Sequence, residues 1–385
     1  MELLITNIGK LVSGDINNPL LDADTIYIKD GKFAEIGKKE VADAHPGVQT
    51  LDAKGVTVAP GLIDSHCHPC AGDYTFRQKA ADFLESEIHG GCTTLISAGE
   101  PHFPGRPTDP AGAKAQAIFL SKSFRNKSPL GAKVHGGALI LEKGLTEKDF
   151  EEMEKEGVWL VGEIGLGSVK SPDDAAPLVE IAKRHGFKVH MHTGGTSIPG
   201  SSTVTADDVI RTNPTVASHC NGGPTAVSVK EVDRIISESD IAVEIVQCGN
   251  YRVAKHIYER VLELGKEDRI IFGNDAPSGT GFVSLGILRN VCYASLCGVV
   301  PEKALAMASG NTARTFGLNT GIIAVGKEAD LICLDAPMGS VGSDALEAID
   351  AGDIPAVTYI IVDGKVIVTK SRNTPPGNRM PEFVQ

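Results

Sequence analysis

No uninterrupted apolar run in the chain approaches the roughly 20 residues needed to span a bilayer. Met1 to Asp15 carries no basic segment leading into an apolar one, so neither a membrane span nor a secretory leader is expected. Basic residues are in deficit: 37 Lys and Arg face 49 Asp and Glu, a formal net charge of −12. That balance argues against nucleic acid or an anionic membrane surface as the main partner. An anionic small molecule stays compatible, because a local metal ion or arginine outweighs the mean field. Cysteines are thin, eight in 385 residues. They are too sparse for a disulfide scaffold, and free thiols suit a cytoplasmic location. Cys67-x-x-Cys70 has no second such pair to complete a soft metal site. No internal repeat is visible, and no Walker or dinucleotide fingerprint occurs.

What is present reads as a globular enzyme. Hydrophobic residues make up 42% and charged residues 22%, ordinary values for a folded chain. The length exceeds what one core usually serves, but fits an α/β barrel of about 250 residues plus a smaller domain. Residues 1–57 read as short strands with turns, including a hairpin signal at Asp30-Gly31. From Val56 to about Leu318 short apolar runs alternate with helical stretches. The runs are Thr57–Ile63, Thr93–Ser97, Lys133–Leu141, Val158–Ile164, Lys188–His192, Val216–His219, Ala242–Val246 and Arg269–Phe272. Helical patterns at Gln78–His89, Pro110–Phe124, Glu147–Glu156, Asp173–His185, Val229–Ser237 and Arg252–Leu264 separate most of them. Eight strands with crossover helices predict an α/β fold of the (β/α)8 TIM barrel type over 58–320. From Gly321 the pattern is β again, with a hairpin at Asp363-Gly364. The pieces 1–57 and 321–385 are read as halves of one composite domain. Residues 373–385 read as a polar, Pro-rich tail resting on a neighbouring subunit.

Chemistry on this barrel sits at the C-terminal strand ends. The first run ends in His66-Cys67-His68. In a strand, residues two apart share a face, so both imidazoles point the same way. The fourth run ends with Glu163, the fifth with His190-Met191-His192-Thr193, the sixth with His219 and the eighth with Asp275. Four histidines, a glutamate and an aspartate at one mouth suit two divalent metal ions with positions open to water and substrate. His190 and His135 read as core histidines. His102, after the second strand, and Arg106 and Thr193 are candidate substrate contacts; Arg77 and Arg252 read as surface charges.

The segment Pro60-Gly61-Leu62-Ile63-Asp64-Ser65-His66-Cys67-His68, this ligand pattern, and the ending Ser309 to Arg314 followed by Gly326 to Leu331 resemble the amidohydrolase superfamily over essentially the whole chain. The resemblance implies a distorted barrel beside a β-sandwich built from both chain ends. It implies that His66 and His68 bind a first metal and His192 and His219 a second, and that Asp275 touches the first metal and acts as acid and base. Many members bridge their metals with a carboxylated lysine after the fourth strand. Glu163 stands there in this chain, a departure from the dihydroorotase-like and hydantoinase-like branches.

The loops Ile96 to Gly99, Pro101 to Pro107, Thr193 to Thr203, Gln247 to Asn250, Asn274 to Gly281 and Lys370 to Pro376 resemble the enamidase branch of nicotinate fermentation. That likeness implies an iron–zinc pair, a homotetramer, and ring opening of a small anionic cyclic amide, 1,4,5,6-tetrahydro-6-oxonicotinate, to 2-formylglutarate and ammonia. Hydrolysis of another cyclic amide (a lactam, imide or dihydropyrimidine) or a mononuclear deaminase would fit the same ligand set. A non-catalytic scaffold would be expected to lose ligands, and none is missing.

Overall fold

The chain changes sheets at Gly61. The Gly61 N–H donates to the Asp330 carbonyl at 3.0 Å, and the next N–H, of Leu62, donates to the Gly91 carbonyl at 3.0 Å. A Cβ on Gly61 would fall 2.0 Å from Thr93 Oγ1, so only glycine fits the crossing. The expected single strand Thr57–Ile63 is therefore two. Thr57–Pro60 pairs antiparallel with Leu331–Asp335 in a terminal sheet, and Leu62–Cys67 opens the barrel. Hydropathy hides the break because both strands are buried.

This computed structural model describes residues 1–69, 83–99, 106–126, 129–165, 167–196, 202–222, 226–276 and 284–384. Eight strands follow in chain order: β1 (Leu62–Cys67), β2 (Cys92–Ser97), β3 (Lys133–His135), β4 (Leu160–Ile164), β5 (Lys188–Met191), β6 (Val216–Ala217), β7 (Ala242–Val246) and β8 (Ile270–Gly273). β1 to β3 form one parallel arc and β4 to β8 another. Isolated parallel bridges join the arcs, Leu139 to Val161 at one seam and Cys67 to Ala276 at the other. The result is a distorted barrel. Inside it Ile63, Ile96, Leu160, Val216, Ile271 and Phe316 form one apolar cluster.

The crossover helices include Pro110–Arg125, Glu147–Lys155, Pro172–Arg184, Val229–Glu238 and Tyr251–Leu264. Their ends follow local chemistry. Asp109 and Ser171 accept from the first turns of the helices at Pro110 and Pro172, where proline suits the first helical position. A helix at Ala206–Thr212, absent from the sequence reading, is too short to show periodicity, although Thr205 and Asp208 form a capping box. β3 stops short of the expected Leu141. Cβ atoms on Gly136 and Gly137 would lie 2.3 Å from Phe124 and 2.5 Å from the Ala117 carbonyl, so the chain leaves the strand to pass over that helix.

The terminal segments share two sheets. One orders Glu382–Val384, Thr50–Asp52, Glu2–Thr6, Thr25–Lys29 and Lys32–Gly37. The other orders Lys365–Val368, Ala356–Val362, Leu331–Asp335, Thr57–Pro60, Lys10–Val12 and Leu20–Leu21. Leu3, Ile5, Ile28 and Leu51 from the first pack with Val58, Leu331, Cys333 and Ile361 from the second. Both hairpins turn at positive φ: Asp30 51°, Gly31 77°, Asp363 48° and Gly364 73°. The C-terminal segment is no free tail. Glu382–Val384 pairs with Thr50–Asp52, and Arg379 Nε meets the buried Asp335 at 3.0 Å.

Barrel and sandwich are pinned at Lys133, the first residue of β3. Its ammonium lies 2.6 Å from Glu328, 2.8 Å from Asp330 and 2.8 Å from Asp363. Burial disfavours the charged lysine, but Asp330 and its neighbours more than offset this and hold its pKa above the ordinary value. Asp330 is fully buried and also accepts from the Thr320 hydroxyl. Lys133→Met strands that carboxylate. The expected loss is about 3 kcal/mol, the low end for breaking a buried pair, read as a lowered denaturation midpoint. Adding Asp330→Asn should recover part of it; no recovery would mean that the pair is not the source.

Candidate metal centre

Three hydrogen bonds, two of them across one seam, place the first ligands. Asp64 Oδ1 accepts the His66 N–H and the Asn274 N–H, both at 3.0 Å, and the Asp275 N–H donates to the His66 carbonyl at 2.8 Å. Asp64 thus clamps β1 to the end of β8, and the residues that follow on each side project into the mouth. Burial pushes the Asp64 pKa up to about 7. The role was not assigned from the sequence. Asp64 shares the face of His66 and His68 but lies deeper in the strand, short of the end where metal ligands are sought.

The six predicted residues converge. His66, His68 and Asp275 place one ligand atom each within 4.8 Å of one another, and so do Glu163, His192 and His219. Glu163 joins the two groups: its Oε1 lies 2.7 Å from His219 Nε2 and 3.8 Å from His192 Nδ1, and its Oε2 lies 3.6 Å from His66 Nε2. Asp275 Oδ1 lies 3.2 Å from His68 Nε2 and 3.6 Å from His66 Nε2. Burial would raise the Glu163 pKa, but His66 and His219 pull it well below the carboxylate range. Five of the six are buried; the Asp275 side chain is 20% exposed and opens to the mouth. His219 and Asp275 take positive φ, 34° and 53°, backbone strain of the kind found at functional sites.

The donor set fits divalent metal ions. His66 Nε2 is buried without a hydrogen-bond partner among the described residues and lies near two carboxylates. His192 Nδ1 and His219 Nε2 lie 3.1 Å apart, so their lone pairs converge, which favours a shared cation. Imidazole with carboxylate suits zinc, iron, manganese or cobalt.

A further carboxylate escaped the sequence reading. Glu244, in the middle of β7, is fully buried beneath the site, 2.7 Å from His66 Nδ1. A lone charge inside the apolar run Ala242–Val246 was the available signal, since a buried charge needs partners. His190 sits beside it with Nδ1 3.2 Å from Ser218 Oγ, and burial lowers its pKa to about 4. His135 packs edge-on against Trp159.

The candidate substrate contacts fare differently. The buried Thr193 hydroxyl donates to the Ser218 carbonyl at 2.8 Å, which gives it a role in tying strand ends together. Arg106 Nη1 lies 2.8 Å from the buried Glu142. Arg252 is exposed on its helix. His102, Arg77 and Cys70 lie outside the described residues, as do parts of the loops 193–203 and 276–281. A cavity of about 700 Å³ elsewhere is lined by the strand starts Lys188 and Ala242 and by Arg269, just before β8, at the end of the barrel away from these histidines.

Residues 57–369 match the Amidohydrolase family. The chain is 62% identical to an enamidase from Eubacterium barkeri over 379 residues, 98% of each protein. An enamidase crystal structure superposes with a TM-score of 0.96 at 60% identity, covering all of both chains. An adenine deaminase from Ruegeria sp. (strain TM1040) is 28% identical over 81% of this chain and 51% of its own length.

Asp64→Ala removes the acceptor of two buried N–H groups, each costing about 1–3 kcal/mol when left unmade. Asp64→Asn keeps an acceptor oxygen and should lose less than half as much in equilibrium denaturation. Equal losses would mean that the charge, rather than the clamp, matters.

Proposed function

The chain belongs to the amidohydrolase family, and on that footing we propose that it is an enamidase, opening 1,4,5,6-tetrahydro-6-oxonicotinate to 2-formylglutarate and ammonia. The observation that carries the reading is 62% identity to an enamidase along 98% of both chains. A mononuclear deaminase is disfavoured, because Glu163 faces both histidine groups at once.

In this reading His66, His68 and Asp275 would hold one divalent ion and His192 and His219 a second, with Glu163 facing both groups. When bound, such a pair supplies Lewis acidity toward a carbonyl oxygen and acidifies water toward neutral pH. We read the pair as zinc and iron, and the assembly as a cytoplasmic homotetramer; both follow from the family resemblance.

The residues of the chain carry the proton. Asp275 has one oxygen facing His68 and the other 3.7 Å from Cys248 Sγ, and it alone among the six opens appreciably to the mouth. It takes a proton from the water that adds to the ring carbonyl and returns it to the departing nitrogen as the C–N bond breaks. That nitrogen leaves as an enamine. It tautomerises to an imine, and a second water releases ammonia and leaves the aldehyde. The other five residues are buried around this exchange.

Metal-replete protein should consume the enamide, followed by loss of its absorbance, with one ammonia released per turnover. Removal of its divalent ions by a chelator should abolish this. No turnover with both ions bound would move the substrate to another cyclic amide. Asp275→Asn should lower kcat by about 10²–10⁴-fold, the usual share of general acid–base catalysis. Near-normal turnover in that variant would remove Asp275 from the role.

A further inference from the structure

The four histidines are not held alike. Each turns one ring nitrogen toward the centre, and the other nitrogen meets a different partner. His66 Nδ1 lies 2.7 Å from the Glu244 carboxylate, and His68 Nδ1 lies 2.5 Å from the Gly99 carbonyl. In the other group, among the described residues, His192 Nε2 has only the Gly195 carbonyl at 3.3 Å and the buried His219 Nδ1 has no partner. Acceptors on the outer nitrogen fix a ligand histidine's tautomer and ring orientation and make its inner nitrogen a stronger donor. A carboxylate does so more strongly than a carbonyl, because the hydrogen bond is charge-assisted.

Glu244 is itself locked. Its Oε1 accepts the Ser65 hydroxyl at 2.5 Å, and its Oε2 accepts the His219 N–H at 3.1 Å as well as facing His66. It is fully buried, so little water screens its effect on His66.

We infer that the two metal subsites are unequal: the one formed by His66, His68 and Asp275 retains its ion, the one formed by His192 and His219 exchanges it, and Glu244 is the positioning residue that sets the difference. This rests on the two-ion reading above. Glu163 faces both groups and so does not distinguish them. Asp275 adds to the first group alone, in the same direction as Glu244.

The test counts ions rather than turnover. Fully loaded protein is equilibrated with increasing chelator, and the ions retained per chain are measured by elemental analysis. Two steps are expected, one ion leaving at a chelator concentration at least tenfold below the other. In His192→Ala the tighter step should persist. In Glu244→Gln, whose one oxygen can still accept the His219 N–H while its amide donates to Ser65 Oγ, the charge is lost; the tighter ion should weaken by about 10–100-fold, the usual effect of losing such a partner, and the two steps should merge. Two ions leaving the native protein together would overturn the inequality, and the native curve decides this even if Glu244→Gln fails to fold. Loss of the tighter step in His192→Ala would reverse the assignment. A Glu244→Gln curve matching the native one would remove Glu244 as the cause. A fully loaded native chain holding only one ion would instead overturn the two-ion reading beneath the proposal.

Discussion

Buried charge is the constraint around which this molecule is arranged. Glu163, Glu244 and four histidines lie almost out of contact with water, and an isolated ionised group there would be strongly unfavourable. Each is tolerable because another sits within reach. Glu163 meets His219 with one oxygen and His66 with the other; Glu244 meets His66, Ser65 and the His219 N–H. These compensations come from five strands, so they exist only when the barrel is assembled in register. Electrostatics and topology therefore specify each other, and a one-residue slip of β1 would turn His66 outward and take that partner from both glutamates.

The backbone gives way where the side chains require it. β6 is only two residues long, because the chain must turn at once for His219 to reach Glu163, and His219 takes φ 34° to do so. Asp275 takes φ 53° directly after the Asn274 N–H is bound by Asp64. Such conformations persist when neighbours over-determine them. Here the neighbours are the Glu244 carboxylate on the His219 N–H and the His66 carbonyl on the Asp275 N–H. The groups that position the ligands also hold the strained turns that carry them.

Much of this was legible in the sequence, for a reason that also explains the omissions. A functional side chain at the end of an apolar run shows up against its background, and His66, His68, Glu163, His192, His219 and Asp275 all stood out in that way and all converge. Supporting groups follow no such rule. Asp64 and Glu244 act through backbone N–H groups and ring nitrogens whose positions exist only in three dimensions. The split at Gly61 leaves no mark in hydropathy, since both strands it separates are buried. Residues 373–385 are polar and Pro-rich, yet the Arg379–Asp335 pair and the pairing at Glu382–Val384 bind them to their own chain. Thr193 lies next to a ligand position, but its hydroxyl is committed to Ser218.

The proposed anionic substrate of an acidic chain presents a further question of sign. The net charge of −12 acts through solvent and is screened within about 8–10 Å at physiological salt, whereas the centre acts at contact distance. Glu163, Glu244 and Asp275 supply three negative charges, and the four histidines serve as neutral ligands. With the proposed pair of divalent ions in place, the pocket carries a net positive charge in surroundings that water penetrates poorly, so its local field outweighs the distant surface. Removal of one ion would remove that positive charge. In this reading the second ion therefore contributes to holding a carboxylate-bearing ring as well as to its hydrolysis, and a scaffold shared with a deaminase need not share its substrate charge.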